Sequence, residues 1–313
     1  MKLSVIIPCY NEEENINNIY DSLKKVLNGF PYELLFIDDG SSDKTFEAID
    51  KLYKNDKDHV KCISFSRNFG KEAAMYAGIK HALGEYTCII DADMQQNPKY
   101  LLEMYNYLEN NPDVDQVAMY VENRNKKNLK GWLANKFYKL VNKISDTKLL
   151  IDASDFRMFR PTVKDSILEL AEVNRFSKGI FSWVGFNTVC LPYKVTKREK
   201  GESKFNFKSL VKYSIEGMVA FSVKPLRFIT IVGVITSIGS LIYILVILIN
   251  KIFFTVNVSG YSSMMSVILF FGGIQILFIG IIGEYLSKTY LETKKRPIYL
   301  AKHKIGFDKK NIL

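Results

Sequence analysis

The chain has 313 residues, of which 48% are hydrophobic and 24% are charged, and its formal net charge is +10. This hydrophobic content excludes an intrinsically disordered chain, and the length allows one large domain with an appended segment. The basic charge is compatible with nucleic acid, an anionic membrane surface or a phosphorylated ligand, and charge alone does not choose among them.

Apolar runs alternate with helical patterns along the first 121 residues. Strands are predicted at Leu3–Pro8, Glu33–Asp38, Val60–Phe65, Tyr86–Asp91 and Gln116–Val121. Their apolar residues are continuous, which is typical of strands covered on both faces. Helices are predicted between them, at about Glu14–Leu27, Lys44–Lys54, Lys71–Leu83 and Pro98–Glu109, with Asp43 as an N-cap and Gly84 after a C-terminus. The alternation predicts an α/β fold with a doubly wound, mostly parallel sheet.

Two basic amphipathic stretches follow the predicted sheet. Asn123–Ser145 has an apolar helical face, and either docking on the sheet or contact with a membrane would explain it. Asn206–Pro225 places apolar residues among lysines, which indicates a helix lying at a membrane surface. Pro225 would then turn the chain into the membrane.

Two long uncharged stretches lie near the C-terminus, Phe228–Asn250 and Ile252–Gly283. Each exceeds the roughly 20 residues that a helix needs to cross the hydrocarbon core, so each predicts a transmembrane helix. Buried core helices are the alternative. Basic residues flank the pair on the outer sides and leave only Lys251 near the connecting loop, so both ends of the hairpin are expected in the cytosol.

The N-terminal segment and the cysteines agree with a cytosolic catalytic part. The first apolar run is too short for a signal peptide and is followed at once by acidic residues. The four cysteines contain no CxxC pair, which favours reduced thiols over disulfides or a zinc site.

Polar clusters follow four of the predicted strands: PCYNEE, DDGSSD, SRNFGK and DADMQQ. Ligands of doubly wound sheets bind beyond the carboxyl ends of the strands, so these four clusters predict a binding site at one edge. Neither GxGxxG nor GxxxxGK[ST] occurs in the sequence.

The cluster after the fourth strand has the composition of a metal site. Asp91, Asp93 and Gln95 offer hard oxygen ligands suited to Mg²⁺ or Mn²⁺, and a substrate diphosphate would complete the shell of such an ion. Turn and cap acids without a metal are the alternative. After the second strand, Asp38 and Asp39 can accept hydrogen bonds from a base or ribose, or can belong to an ordinary Asp-Gly turn.

Ordered motifs along nearly the whole chain carry a resemblance. VIIPCYNEEENI, FIDDGSSDKT, SRNFGKEAAMYAGI, DADMQQNP, DFRMFR, NRFSKGIFSWVGF, GESKF and GEYLSKTYLETKKRP together resemble the GT-A type (family 2) polyprenyl-phosphate glycosyltransferases. This family includes dolichyl-phosphate mannose synthase and the bacterial bactoprenol glucosyltransferases. The two C-terminal spans are similar to those of the bacterial branch.

The resemblance implies a metal-dependent, inverting transfer of one sugar from a nucleotide diphosphate to a lipid monophosphate. It implies that the donor nucleotide is bound by Pro8, Tyr10, Glu12, Ile37, Asp39, Asp91 and Ala92. The implied metal ligands are Asp93 and Gln95, beside Asp91, and the implied phosphate contacts are Arg124, Arg198 and Lys204. The implied catalytic residues are Asp93 and Asp155.

The role of Asp155 stays open at this point. It matches a carboxylate proposed as a catalytic base, but a lipid phosphate is already anionic at neutral pH and needs little deprotonation. Asp155 could instead orient the acceptor or stabilise positive charge at the anomeric carbon. A structural ion pair with Arg157 or Arg175 is a further alternative.

The sequence thus predicts a cytosolic catalytic domain (1–205), an interfacial helix (206–225), a two-helix anchor (226–287) and a cytosolic basic tail (288–313). By resemblance, the enzyme is a hexosyltransferase that moves glucose from UDP-glucose to undecaprenyl phosphate in the plasma membrane. The alternatives are another donor (UDP-GlcNAc, UDP-galactose or GDP-mannose), a processive polysaccharide synthase or a non-catalytic membrane scaffold. A homo-oligomer is plausible, and nucleic acid is not an expected partner because the basic residues cluster near the membrane.

Overall fold

The computed structural model describes residues 1–122, 150, 153–170, 172–195, 219, 222–253 and 260–307. Several predictions concern residues outside this part of the chain. They are the amphipathic helix at 123–145, most of the interfacial helix at 206–225, and the phosphate contacts Arg124, Arg198 and Lys204.

An eight-stranded sheet forms the centre of the catalytic domain. Its strands are β1 (Leu3–Cys9), β2 (Tyr32–Asp38), β3 (Val60–Phe65), β4 (Tyr86–Ile89), β5 (Gln116–Val121), β6 (Ala153–Phe159), β7 (Thr188–Tyr193) and β8 (Ala301–Ile305). The spatial order is β7-β5-β6-β4-β1-β2-β3-β8. The predicted parallel arrangement is confirmed for β3-β2-β1-β4, whereas β6 and β8 run antiparallel to their neighbours, so the whole sheet is mixed.

The helices alternate with the first strands, as predicted. They are α1 (Ile16–Val26), α2 (Thr45–Asn55), α3 (Lys71–His81), α4 (Lys99–Asn110), α5 (Pro161–Glu169), α6 (Ser177–Trp183), α7 (Lys224–Phe253) and α8 (Tyr261–Thr293). The first four match predicted helices to within two residues at each end, and α5 and α6 were not predicted. The N-cap of α2 is Lys44 and not the predicted Asp43, which precedes it. The carboxylate of Asp43 nevertheless accepts a hydrogen bond from the amide of Thr45, the first residue of α2, at 3.0 Å.

Both faces of the sheet are covered, which confirms the doubly wound α/β class. Val5 and Ile7 of β1 face the core formed with α1, α2 and α4, whereas Ile6 faces the core formed with α3, α5 and α6. Because successive side chains of a strand point to opposite faces, the continuous apolar runs fill both cores at once.

Two strand and turn predictions were wrong in detail. β4 ends at Ile89 instead of Asp91, so Asp91 lies in the loop beyond the strand. Gly84 does not take the left-handed conformation expected after a helix C-terminus. It is instead packed against β1, where an added Cβ would lie 2.5 Å from the Ser4 amide nitrogen.

α7 and α8 are long and apolar enough to cross a membrane. The qualifying segments are Lys224–Ile247 and Ser263–Thr293, with mean hydropathy of 2.3 and 2.4, and 0% of each is buried inside the protein. This exposure does not fit the alternative of buried core helices. Pro225 lies in the first turn of α7, where its missing N–H leaves no helical hydrogen bond unmade.

The chain returns to the catalytic domain after α8. β8 pairs antiparallel with β3, with His303 opposite Ser64, and the Tyr299 ring stacks on Phe65 at 4.8 Å between centroids. Part of the predicted tail at 288–313 therefore belongs to the sheet, and its predicted boundary at residue 288 falls inside α8. The strand covers the edge of β3, which would otherwise leave backbone groups open to pairing.

Candidate active site

The loops that follow β1 and β2 are joined by hydrogen bonds between their side chains and backbones. The Asn11 amide donates to Ser41 Oγ at 3.0 Å, and the Ser42 amide donates to Asn11 Oδ1 at 2.9 Å. The Glu12 amide donates to Thr45 Oγ1 at 2.9 Å. These bonds fix the two loops at the carboxyl edge of the sheet, where the sequence predicts the donor nucleotide.

Asp38 and Asp39 are both buried, and both accept hydrogen bonds that hold the loops at this edge of the sheet. Asp38 accepts from the Ser41 amide at 3.0 Å and from Ser64 Oγ at 2.6 Å. Asp39 accepts from the amides of Phe69 and Gly70 at 2.7 and 2.9 Å. Burial raises the pKa of Asp39, and these two backbone donors oppose the rise. Contact of Asp39 with a nucleoside stays a prediction, whereas its hydrogen bonds to the loop after β3 are observed.

Gly40 lets the β2 loop approach the β3 loop closely. Its φ is +65°, and a Cβ at this position would lie 2.3 Å from the Arg67 carbonyl carbon. Only glycine has both this conformation and this clearance at little cost.

The remaining predicted donor contacts differ in exposure. Tyr10 is 39% exposed, and Pro8 and Glu12 are partly buried at the edge. Ala92 is buried, and Ile37 is fully buried in the core beneath α3. The Ile37 side chain therefore does not reach the surface of the site.

The centre of the site is a lysine between two aspartates. Lys71, the first residue of α3, places its Nζ 2.6 Å from Asp91 Oδ1 and 3.1 Å from Asp155 Oδ2. Asp91 follows β4, and Asp155 lies on the neighbouring antiparallel strand β6, in which Arg157 is the partner of Ile89. The two carboxylates therefore meet at one sheet edge although their strands run in opposite directions.

This arrangement sets the charge of Asp155. Burial disfavours its ionised form, but the cations of Lys71, Lys178 and Arg157 outweigh that effect and lower its pKa to about 2. For Lys71, burial acts against the charged form, but Asp91 and Asp155 raise the net pKa. Asp155 is consequently a carboxylate at neutral pH, and its low pKa makes it a weak proton acceptor.

The alternative ion pairs considered for Asp155 were wrong, because its partner is Lys71. Arg157 places its guanidinium 3.8 Å from the centre of the Phe181 ring and donates to the Ser154 carbonyl at 2.9 Å. The Arg175 guanidinium lies 4.5 Å from the centre of the Tyr76 ring and donates to a carbonyl of the preceding loop.

Gln96 orients Asp91. Its Nε2 donates to Asp91 Oδ2 at 2.8 Å, and its Oε1 accepts from the Asp91 amide at 2.9 Å. Asp93 accepts from the Gln95 amide at 3.1 Å, which closes a short turn around Met94, whose φ is +61°. Sequence reasoning singled out Gln95 and missed Gln96, although both follow the same strand.

The residues present can supply part of the coordination shell of a divalent ion, with a ligand supplying the rest. Among the described residues, no group of three or more His, Cys, Asp or Glu side chains could hold a metal. Asp93 and Gln95 nevertheless supply a carboxylate and an amide oxygen, both partly exposed. Mg²⁺ typically takes one or two carboxylates and completes its shell with water and substrate phosphates. Asp91 is a less available ligand here, because Lys71 and Gln96 already occupy its two oxygens.

Lys71 and Glu72 are the main residues that sequence reasoning missed. Glu72 accepts hydrogen bonds from the Ser177 hydroxyl and from its amide, the latter at 3.0 Å, and thereby ties α3 to α6. Burial raises the pKa of Glu72, and the negative charge of Asp155 adds to the rise. The sequence feature that could have identified Lys71 is its position at the start of a predicted helix, directly after the polar cluster at the end of the third strand.

The chain belongs to glycosyl transferase family 2, whose family description matches residues 4–168. Residues 224–289 match a second family description, the GtrB C-terminal hairpin. The first match contains β1 to β6 and hence Lys71, Asp91 and Asp155, whereas the second contains α7 and most of α8. The protein is therefore a glycosyltransferase with a C-terminal hairpin of two apolar helices.

Similar proteins extend over almost the whole chain. A bactoprenol glucosyl transferase of Shigella phage SfX is 40% identical over 304 residues, which cover 96% of this chain and 99% of that protein. A prophage bactoprenol glucosyl transferase homolog of Escherichia coli K12 is 38% identical over the same shares. Among solved structures, a mannosyltransferase from Pyrobaculum calidifontis in complex with GDP-Man and Mn²⁺ gives a TM-score of 0.49 and 18% identity, covering 72% of this chain and 64% of that chain.

Proposed function

We propose that this protein transfers one glucose from UDP-glucose to a polyprenyl phosphate, undecaprenyl phosphate being the expected acceptor. The observation that carries the proposal is the 40% identity to a bactoprenol glucosyl transferase, because it extends through both the catalytic domain and the apolar hairpin. The product would be a lipid-linked sugar for modification of the cell envelope.

The donor would bind across the loops after β1, β2 and β4. A Mg²⁺ or Mn²⁺ ion held by Asp93 and Gln95 would neutralise charge on the diphosphate as it leaves. Gln96 holds Asp91 beside Lys71, so Lys71 would lie at the carboxyl edge where the donor is expected.

Asp155 acts in this proposal without accepting a proton. A lipid phosphate is already an anion at neutral pH, and a carboxylate with a pKa of about 2 is poorly suited as a general base. The fixed negative charge of Asp155 would instead stabilise positive charge that develops at the anomeric carbon. Direct attack of the acceptor on the face opposite the leaving diphosphate would invert the configuration.

The membrane arrangement follows from the flanking charges. Lys224 and Arg227 precede the first uncharged stretch, and Lys288, Lys294 and Lys295 follow the second. Positively charged flanks favour the cytosolic side, so both ends of the hairpin and the catalytic domain would face the cytosol of the plasma membrane. A cysteine introduced as Ser259→Cys should be labelled by an impermeant reagent in intact cells. Labelling only after lysis would refute this topology.

The reaction is tested with the full-length protein in detergent, undecaprenyl phosphate and Mg²⁺ or Mn²⁺. Radiolabelled UDP-glucose, UDP-GlcNAc, UDP-galactose and GDP-mannose are compared by the label extracted into the lipid phase. We expect UDP-glucose to give the highest rate. A higher rate with another donor would replace glucose by that sugar, and no labelled lipid from any donor would support the scaffold alternative.

The metal role is tested in the same assay. Asp93→Asn should lower transfer at least 100-fold without unfolding the protein, because the substitution removes a carboxylate charge but keeps the side-chain size. Asp21→Asn is the matched control, since Asp21 lies exposed on α1 away from the carboxyl edge of the sheet. Full activity of Asp93→Asn, or activity in excess EDTA, would contradict the metal role.

A further inference from the structure

The end of α8 is attached to a segment that borders the active site. Glu292, in the last turn of α8, accepts hydrogen bonds from the Val173 amide at 3.0 Å and from the Asn174 amide at 2.9 Å. The Asn174 side chain donates to the same carboxylate at 3.2 Å, and Lys288 Nζ donates to Asn174 Oδ1 at 3.2 Å. Residues 172–176 lead into α6, and we call them, together with the first two residues of α6 (177 and 178), the α5–α6 segment.

The position of Glu292 is electrostatically unfavourable for helix α8 alone. The C-terminal end of a helix carries partial negative charge, which favours basic residues there, yet this last turn contains none. The amides of Val173 and Asn174 compensate that cost because they donate to the carboxylate. The hydrogen bonds between Glu292 and these two amides therefore stabilise the end of α8 and fix the position of the α5–α6 segment.

The other end of the segment is held at the active site. Ser177 donates to Glu72, the residue after Lys71 on α3, and Arg175 packs over Tyr76 of the same helix. The segment is thus fixed between α8, the second helix of the apolar hairpin, and α3, the helix that carries Lys71.

Lys178, the last residue of the α5–α6 segment, brings a cationic side chain to the active site. It follows Ser177, whose amide and hydroxyl donate to Glu72 beside Lys71 on α3, so it lies close to the reacting edge. In agreement with this position, its charge contributes to the low pKa of Asp155. Within the described residues it has no carboxylate within 4.0 Å, in contrast to Lys71, which is paired twice. A partly exposed cation beside the site and unpaired there can bind an incoming phosphate.

We propose that Glu292 is a positioning residue that fixes the α5–α6 segment so that Lys178 binds the phosphate of the membrane-borne acceptor. The inference rests on the proposed function, since it requires a lipid phosphate as acceptor. It assigns the acceptor, and not the nucleotide sugar, to Lys178 because the segment is attached to the membrane hairpin through α8.

The kinetic test separates positioning from general damage to the fold. Glu292→Ala and Lys178→Met should each raise the KM for undecaprenyl phosphate about tenfold and change the KM for UDP-glucose less than twofold. Glu292→Gln keeps one acceptor oxygen and should raise the KM for the lipid only about threefold. Glu284→Ala is the matched control, because Glu284 is an exposed carboxylate two turns earlier on α8. A merely structural role of Glu292 would lower kcat and leave both KM values unchanged, and that result overturns the proposal.

Direct binding keeps the inference testable if no sugar transfer is detected. Full-length protein in nanodiscs is titrated with a fluorescent polyprenyl monophosphate and with the corresponding polyprenol. Wild type should bind the phosphate at least tenfold more tightly than the alcohol, and Glu292→Ala and Lys178→Met should each remove that preference. Equal preference in wild type and both variants overturns the proposal, whether or not the protein transfers sugar.

Hydrogen exchange tests the contact itself. In wild type the amides of Val173 and Asn174 should be protected, and in Glu292→Ala their exchange should accelerate while β1 and β2 keep their protection. Unchanged exchange at residues 173 and 174 would show that Glu292 does not fix the segment and would refute its positioning role.

Discussion

Replacing Lys71 by methionine would leave Asp91 and Asp155 close together without the cation between them. Methionine keeps most of the side-chain length, so the change removes charge rather than volume. Lys71 Nζ lies 2.6 Å from Asp91 and 3.1 Å from Asp155, so one substitution removes both ion pairs. We expect Lys71→Met to destabilise the catalytic domain and to abolish sugar transfer.

The magnitude follows from the pKa of Asp155. A fall from the ordinary 3.8 to about 2 corresponds to about 2.5 kcal/mol, at about 1.4 kcal/mol per pKa unit, and Lys71 shares this effect with Lys178 and Arg157. The Asp155 side chain is 21% exposed, but Lys71 is 43% exposed, so solvent screening reduces the expected loss to about 1–2 kcal/mol. For a domain of this size, that loss lowers the Tm by about 3–6 °C.

The effect should depend on pH in a defined direction. Because folding lowers the pKa of Asp155, its contribution to stability is present above about pH 4 and is lost as the pH falls towards 2. Folding raises the pKa of Lys71, so its contribution is present below pH 10.5 and does not change in this range. The Tm difference between wild type and Lys71→Met should therefore be full at pH 7 and smaller at pH 3.

Thermal unfolding of the full-length protein in detergent, followed by intrinsic fluorescence, measures this difference. Lys80→Met is the matched control, since Lys80 is an exposed lysine of the same helix. In the double variant Lys71→Met/Asp155→Asn, part of the lost stability should return, because the unpaired carboxylate is gone. Equal Tm losses at pH 3 and pH 7, or strictly additive effects, would refute the charge-pairing account.

Three further substitutions test the contacts that support the site. Gly40→Ala should cost about 3 kcal/mol or more in unfolding free energy, because its Cβ would meet the backbone after β3, whereas Gly29→Ala, with φ +76° and open space, should cost only about 1 kcal/mol. Gln96→Leu removes two hydrogen bonds to the strand-end aspartate and should lower transfer about 10- to 100-fold in the lipid-extraction assay, and an unchanged rate would exclude an orienting role. Tyr299→Ala should lower stability by about 2 kcal/mol in urea unfolding through loss of an aromatic stack, while Tyr290→Ala, at a 58% exposed position, should have little effect, and equal losses would contradict the stacking argument.

The parallel half of the fold could be predicted because its signals are local. Each of the first five strands is a run of β-forming residues, and polar clusters follow the first four of them, as the topology of a parallel sheet requires. β6, β7 and β8 were not predicted. Two of them carry charged residues: Ala153–Phe159 contains Asp155 and Arg157, and Ala301–Ile305 contains two lysines. Their pairing is decided by the open edges of neighbouring strands, which no local pattern reports.

The same distinction explains the predicted site. Asp91 and Asp93 could be predicted from one strand end, and Asp155 was identified only through a resemblance. Lys71 could not be assigned a role, because its partner Asp155 lies on an antiparallel strand that the sequence did not predict. Ile37 shows a limit of the strand-end pattern, since its side chain is fully buried in the core, and its contact with the donor stays a prediction.

The length of α8 beyond its uncharged stretch places the site relative to the proposed membrane. Glu292 lies nine positions after Gly283, the last residue of that stretch. At about 1.5 Å per residue this is about 14 Å, whereas the headgroup region on one side of a bilayer is about 5–8 Å thick. If α8 crosses the membrane as proposed, the α5–α6 segment lies just outside the headgroups. At that distance from the uncharged stretch, Lys178 of this segment would be within reach of a lipid phosphate at the membrane surface.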